Sequence, residues 1–396
     1  MRIATANQYD NSIDQLLRRQ TDVATQQEKI SSGLRVNRPS DDPAGAAAAE
    51  RDRVRVARIA VDQRGLEKQR AAIATAEGAL GDASELTRSI RELVLTAGNA
   101  GYNTRDRTTL ATQMRALRDE LFSLANRTDS NGVPLFSGLG GSGSPFADLP
   151  AGVQYQANGG QRSTTSTSLP GTMDGQAIWM DVADGNGSFK VTLGAANTGK
   201  AWSTVGEVVN PTAATGHAYA INFTVTAGVT TYDVVDTTSA TTIATAQPYV
   251  DGAPIQFDGL SLSVSGQPAT GDTLAINPSQ RTNAFAVIDS AITAIDNAPG
   301  DNKLTQAVGQ ALAEIDTVMN HLHGARSQAG DWLNRADVIS SNQDARSLAL
   351  ESDRSRAEDL DMARGISDFN KAQTGYQAAL QTYAQVQRLS LFNYIN

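Results

Sequence analysis

The side chains able to do chemistry are few in this chain, and their spacing argues against each reaction they could serve. Cysteine is absent, which removes a disulfide framework, a thiolate metal site and a thiol nucleophile. His321 and His323 flank Leu322. Imidazoles can hold zinc, but a helical spacing of two points them to different faces, and no carboxylate four residues away completes a site, so solvated histidines are expected. His217 stands in a Gly- and Thr-rich stretch without a Gly-x-Ser-x-Gly elbow anywhere in the chain, so nothing supports a Ser-His-Asp device. The pairs Asp41-Asp42 and Glu358-Asp359 could pass for catalytic acids. Both lie at helix boundaries, where carboxylates cap N–H groups. Arg354 and Arg356 beside the second pair fit charge pairing along or between subunits. No acid, base or nucleophile has a recognisable partner, and the expectation is a non-enzyme with no cofactor and no metal.

The run Arg51, Arg53, Arg55, Arg58, Arg64, Lys68 and Arg70 is the one basic patch, and it is interleaved with Glu50, Asp52, Asp62 and Glu67. Such alternation supplies ion pairs along a helix and dilutes the field that nucleic acid would need, so a solvated face or a subunit contact is expected. The whole chain has 33 basic and 42 acidic side chains, a net charge of -9, which also argues against a nucleic-acid partner. No run approaches the ~18 apolar residues of a membrane span, and the opening residues lack a basic start followed by an apolar core, so no membrane insertion and no cleaved signal are expected.

The elements that would position these groups are dominated by the two ends. Tyr9, Ile13, Leu16, Gln20, Val23, Gln27, Ile30 and Leu34 step by three and four residues, and so do Ile366, Phe369, Gln373, Tyr376, Leu380, Tyr383 and Gln387. That spacing keeps one seam facing a partner helix, so the ends are expected to pair as a coiled coil, with the glutamines making the pair weak alone. Tyr9, Tyr376 and Tyr383 are read as seam packing with the hydroxyl at the edge. Leu389, Leu391, Phe392, Tyr394 and Ile395 spread round the whole helix circumference, and one partner helix cannot cover them. Copies of the same chain are the natural cover. Both ends are expected to be mobile in the monomer and to order on assembly.

Between the ends, Pro39 and Pro43 mark a connector, and Ile59, Leu66, Ile73 and Leu80 are a heptad apart within a long alanine-rich helix from Ala44 to Ala97, continued by Leu86, Ile90 and Leu93. Thr104 to Arg127 carries a stripe at Leu110, Met114, Leu117, Leu121 and Leu124, and Asn131-Gly132 has turn chemistry. From Gly140 to Pro278 apolar and polar residues alternate, as in Ile221-Asn222-Phe223-Thr224-Val225 and Leu260-Ser261-Leu262-Ser263-Val264, with Asp251-Gly252, Asp258-Gly259 and Gly271-Asp272 as turns. The only Lys and Arg side chains of this stretch are Arg162, Lys190 and Lys200. Helix returns after Thr282-Asn283, and a second long helix runs from Leu304 to Leu360. The expected fold is mainly α with an inserted β domain: a long antiparallel helical bundle or coiled coil built from both termini, with nested, discontinuous domains. They are 1–40 with 361–396, 41–140 with 280–360, and the β-rich 141–279.

The connector Ser31-Ser32-Gly33-Leu34-Arg35-Val36-Asn37-Arg38-Pro39-Ser40-Asp41-Asp42-Pro43-Ala44-Gly45 resembles the N-terminal signature of the bacterial flagellin family. Its Asn-Arg-Pro-Ser-Asp-Asp-Pro run, Leu135-Phe136-Ser137-Gly138 and the closing Leu389-Ser390-Leu391-Phe392-Asn393-Tyr394-Ile395 are nearer the hook–filament junction members than the filament members. Ser355-Arg356-Ala357-Glu358-Asp359-Leu360-Asp361 is similar to the family's Ser-Arg-Ile-Glu-Asp-Ala-Asp, departing at Ala357 and Leu360. The β insert matches no segment of the family. The resemblance implies a structural protein of the bacterial flagellum, secreted unfolded through the flagellar type III export apparatus with the help of an export chaperone. It implies polymerisation outside the cell into a short ring of identical copies between the hook-side junction protein and flagellin. The residues expected at the assembly interface are Ile13, Leu16, Val23, Ile30, Phe369, Tyr376, Leu380, Tyr383, Leu391 and Phe392. The competing readings are a filament flagellin, and a secreted glycan-binding module carried by the β insert on a helical stalk.

Overall fold

The computed structural model describes residues 5–99, 101–141, 143–297 and 301–392, with side chains described for all of these except 5–9, 301–302 and 386–392. The helices are α1 (Thr5–Ser32), α2 (Pro43–Ala97), α3 (Thr104–Ala125), α4 (Ala284–Asn297), α5 (Asp301–Glu358) and α6 (Met362–Phe392). The intervening strands are β1 (Phe146–Leu149), β2 (Gly152–Tyr155), β3 (Val182–Ala183), β4 (Phe189–Leu193), β5 (Trp202–Ser203), β6 (Glu207–Val208) and β7 (Tyr219–Thr226). They continue with β8 (Val229–Asp236), β9 (Thr241–Pro248), β10 (Pro254–Phe257), β11 (Leu260–Ser265), β12 (Thr273–Pro278) and β13 (Arg281–Thr282). The chain divides into two compact units: Gly65–Val338, and Met1–Arg64 with Ile339–Asn396.

In the unit Gly65–Val338 the heptad of α2 runs on further than its leucines suggest. Leu66, Ile73, Leu80, Thr87 and Val94 are all buried, while Leu86 and Leu93 are half-exposed. Thr87 holds its seam position by donating its hydroxyl hydrogen bond to Ala83 O at 2.8 Å, which satisfies the buried oxygen within its own helix. The same seam on α5 is Ile315, Leu322, Ala329 and Ala336. Pairs Arg91–Asp316 and Arg326–Glu77, both 2.6 Å, and Arg70–Asp337 at 3.2 Å set the two helices antiparallel.

Helix α3 starts at a capping box in which Asn103 and Asp106 exchange bonds, both 3.1 Å. Its buried stripe is Leu110, Met114, Arg118 and Leu121, so a cation occupies a place the leucine pattern gave to Leu117. Arg118 is tolerated there because Asp289 of α4 (3.1 Å) and Asp148 of β1 neutralise it, and its guanidinium lies 5.6 Å from the Phe285 ring centroid.

The body of the insert is two antiparallel sheets, β4-β12-β7-β8-β9 and β10-β11 with β5 and β6 against β11, and β1-β2 and β3-β13 form two-stranded pairs. Alternation explains which residues fill the space between them: Ile221 and Phe223 of β7, Leu260, Leu262 and Val264 of β11, and Leu274 and Ile276 of β12 are buried in one cluster. Gly259 turns β10 into β11 at φ +76°, where a Cβ would meet Asn210 O at 2.3 Å. The first part of the insert packs on the helices. Trp179 stacks on Phe285 of α4 at 5.7 Å, and Phe136 and Phe146 meet the same indole edge-on.

Candidate assembly site at the paired termini

In the other unit α1 and α6 run antiparallel: Leu34 bridges Asp359 at one end, and Ser12 lies by Tyr383 at the other. Ile13, Leu16, Val23 and Ile30 of α1 and Phe369, Tyr376 and Tyr383 of α6 face the seam, each half-buried. Leu380 does not. It is 42% exposed and forms, with Ile366 (48% exposed) and Gln373, a heptad-spaced row beside the seam. The less exposed places on that side of α6 belong to Gly365, Ala372 and Ala379, also a heptad apart. At Gly375 the Arg19 guanidinium of α1 lies over the helix, since a Cβ there would be 2.5 Å from Arg19 Nη1. Gln20 and Gln27 of α1 are exposed too, outside the seam that their spacing predicts.

Leu389, Leu391 and Phe392 lie on the backbone of α6, and their side chains, with those of Tyr9 and Gln387, fall outside the described residues, as do Tyr394 and Ile395 altogether. Among the residues of α1 and α6 whose burial is described, Gly365 alone is buried. A cavity of about 320 Å³ opens between the helices, lined by Leu16, Arg19, Ala379 and Tyr383 among others. Two helices leave this seam unfilled, and the dispersion and hydrophobic terms of a closed core are only partly collected.

The pair leaves the rest of its unit through two linkers stitched to each other. Arg35 N donates to Glu358 O at 2.7 Å and Leu360 N to Gly33 O at 2.9 Å, a short antiparallel bridge around Leu34 and Asp359. The Arg35 guanidinium donates to Ala357 O (2.7 Å) and Asp42 (3.2 Å). Glu358, 8% exposed, lies 3.3 Å from both Arg53 and Arg354. Of the two carboxylate pairs only Asp42 caps a helix, accepting from Gly45 N at 2.9 Å, while Asp41 accepts from Asn37 N and Arg38 N in the connector; Glu358 and Asp359 cap no N–H, because the first is held by arginines and the second accepts from the Ser355 hydroxyl. The Gly45 amide, and after it the Arg35 guanidinium, hold the Asp42 carboxyl below its ordinary value. Sequence spacing marked these residues as caps, but nothing local could reveal that Arg35 closes on Ala357, 322 positions away.

His323 is exposed, as expected, and His321 departs from that expectation. His321 is half-buried with Nε2 2.7 Å from Ala177 O, and His217 Nδ1 lies 2.6 Å from Asp236 Oδ2. Asp236 also accepts from Thr238 N and Ser239 N. Burial works to raise this carboxyl, and the Ser239 amide and the His217 ring outweigh it and hold it well below the usual range. This is the closing turn of a hairpin, with no nucleophile hydrogen-bonded to the ring. Among the described residues no group of three His, Asp or Glu is placed to hold a metal.

The likeness to known proteins takes in both terminal segments. The chain is 24% identical to flagellar hook-associated protein 3 of Salmonella typhimurium, over 99% of each chain, and 28% identical to a flagellin of Clostridium tyrobutyricum, over 90% of this chain and 91% of that one. Among solved structures it is similar to hook-associated protein 3 from Legionella pneumophila, with 27% identity and a TM-score of 0.71 over 76% of this chain and 98% of the other. FlgL from Xanthomonas campestris gives 25% identity and a TM-score of 0.68 over the same shares. The bacterial flagellin N-terminal helical region matches residues 3–140 and the C-terminal helical region residues 312–395, together more than half of the sequence, and the chain belongs to the bacterial flagellin family.

Proposed function

We propose that this protein is a structural subunit of the bacterial flagellum, forming the junction between hook and filament by self-assembly through its terminal helices. The observation that carries the reading is the α1–α6 pair, whose seven described seam residues Ile13, Leu16, Val23, Ile30, Phe369, Tyr376 and Tyr383 are all left half-exposed. A pair of this kind gains most of its apolar burial only when other helices close around it, as copies in a ring would do. Likeness along the whole chain to hook-associated protein 3 supports the junction over the filament itself. In this reading the ring contacts a hook-side junction protein on one side and flagellin on the other. The subunit reaches that place outside the cell through the flagellar type III export apparatus, accompanied by an export chaperone.

Electron microscopy of cells lacking the protein tests the role. Hooks without filaments, with flagellin shed into the medium, are expected; normal filaments would overturn it.

A further inference from the structure

Within the unit Gly65–Val338, the loop after α3 and the start of the insert enclose, with one side of α2, a cavity of about 390 Å³. Its walls are tied in place. The Ser137 hydroxyl donates to Pro134 O at 3.1 Å, the Thr172 hydroxyl to Gly138 O at 2.7 Å, and the Gln69 amide oxygen of α2 accepts from Leu169 N at 2.8 Å.

Three charged side chains line the space: Lys68, Asp129 and Arg162. Asp129 is committed within its own turn, accepting from Asn131 N and Val133 N, both at 2.8 Å, and from the Asn131 side-chain amide at 3.3 Å. The two cations are free to bind. Lys68 has no hydrogen bond or ion pair among the described residues, and the Arg162 guanidinium makes one bond, to Leu139 O at 3.3 Å. With its oxygen held by Leu169, Gln69 presents an amide nitrogen that has no partner among the described residues. This excess of positive charge runs against its surroundings, since Asp and Glu outnumber Lys and Arg ten to three between residues 141 and 279. Apolar surface is left uncovered at the same place: Val133 and Leu139 line the cavity and are 45% and 47% exposed.

We propose that this cavity binds a small carboxylic acid with a short apolar body. The carboxylate sits between Arg162, which can grip both oxygens at once, and Lys68, which acts as a point charge, with Gln69 as a neutral donor. Two cations less one committed carboxylate leave a single positive charge, which a monoanion balances and a phosphate dianion does not. The body lies on Val133 and Leu139, where burial of carbon supplies the affinity that exposed charges alone do not. The volume stands at the lower end of the range of about 300–1,000 Å³ typical of ligand pockets, so the ligand is small. The site belongs to the unit that lacks α1 and α6, and it does not depend on the junction reading.

Titration calorimetry of the full-length chain in low-salt buffer, with acetate and hexanoate as the anions, tests the proposal. Saturable binding of hexanoate with a Kd of about 1 mM is expected, about tenfold tighter than acetate, in line with about two buried methylenes. Lys68→Ala with Arg162→Ala is expected to weaken hexanoate binding about tenfold. Lys200→Ala, which removes an exposed cation outside the cavity, is expected to leave it unchanged. No saturable binding of hexanoate, equal binding by the double variant, or an equal loss from Lys200→Ala each overturn the site. Should the double variant melt earlier than the parent, Val133→Glu at an exposed wall position decides: it repels the anion and is expected to abolish binding, and retained binding overturns the proposal. Any of these failures leaves the junction reading untouched.

Discussion

Replacing Phe369 by Ala separates what the seam does in one molecule from what it does among copies. Fully burying a Phe and then deleting it costs about 3–5 kcal/mol. Phe369 is half-buried in the α1–α6 pair, so the free chain should lose about half of that, about 2 kcal/mol, and only in the opening of the pair. The unit Gly65–Val338, which contains the fully buried Trp179, should keep its melting temperature within about 1 °C as followed by tryptophan fluorescence. In the proposed assembly the other half of the Phe369 side chain is covered as well. The deficit there rises by about 2 kcal/mol for every copy, a further loss of about thirtyfold in affinity at each contact. Incorporation into flagella, read by immunolabelling against the parent chain, should fall below detection. The reasoning fails if Phe369→Ala unfolds the whole chain, or if the variant is incorporated as well as the parent.

Deleting the last ten residues should leave Trp179 fluorescence and the melting of Gly65–Val338 unchanged and abolish assembly; a truncated chain that supports filament growth would refute the assignment of Leu391 and Phe392. Glu358→Gln keeps the shape of the crossover but removes the charge shared by Arg53 and Arg354, whose side chains are 55% and 39% exposed. Discounting for solvent, about 1 kcal/mol is lost, so hydrogen exchange at the amides of Arg35 and Leu360 should quicken about fivefold, and unchanged exchange there would count against the clasp. Asp236 has a folded pKa below its unfolded one, so its stabilising contribution is full above about pH 4 and is lost as pH falls through the folded value. Asp236→Asn should therefore flatten the acid side of the stability profile of the β-rich region, and an unaltered slope between pH 4 and 2 would exclude that source. Limited proteolysis tests the proposed threefold division of the chain, with cuts expected near residues 40 and 360 before any near 140 or 280.

The sequence carried the helices and strands well because their periods are long and regular. The heptad from Ile59 to Leu80 and the alternation from Ile221 to Val225 each repeat enough to leave one solution: Ile59, Leu66, Ile73, Leu80, Ile221 and Phe223 are buried, and only the strand's end, at Val225, is half-exposed. Legibility failed where a residue's role depends on size or on a distant partner. Thr87 and Arg118 occupy seam positions because a backbone carbonyl and two aspartates satisfy them, which no hydrophobic pattern registers. On α6 the large residues Ile366, Gln373 and Leu380 outvoted Gly365, Ala372 and Ala379 in the reading. In the folded pair Gly365 is buried and Ala372 and Ala379 are half-buried, while the three large residues are exposed. Leu380, displaced from the seam, remains a candidate for contact with another copy, and its exposure is what that role requires.

Hydrogen exchange along residues 5–32 and 362–392, compared between the free chain and intact flagella, tests most directly whether the terminal pair is completed by other copies. Weak protection in the free chain and strong protection after assembly are expected. Equal, strong protection in both states would mean that one molecule already shelters its ends, and would contradict assembly through them.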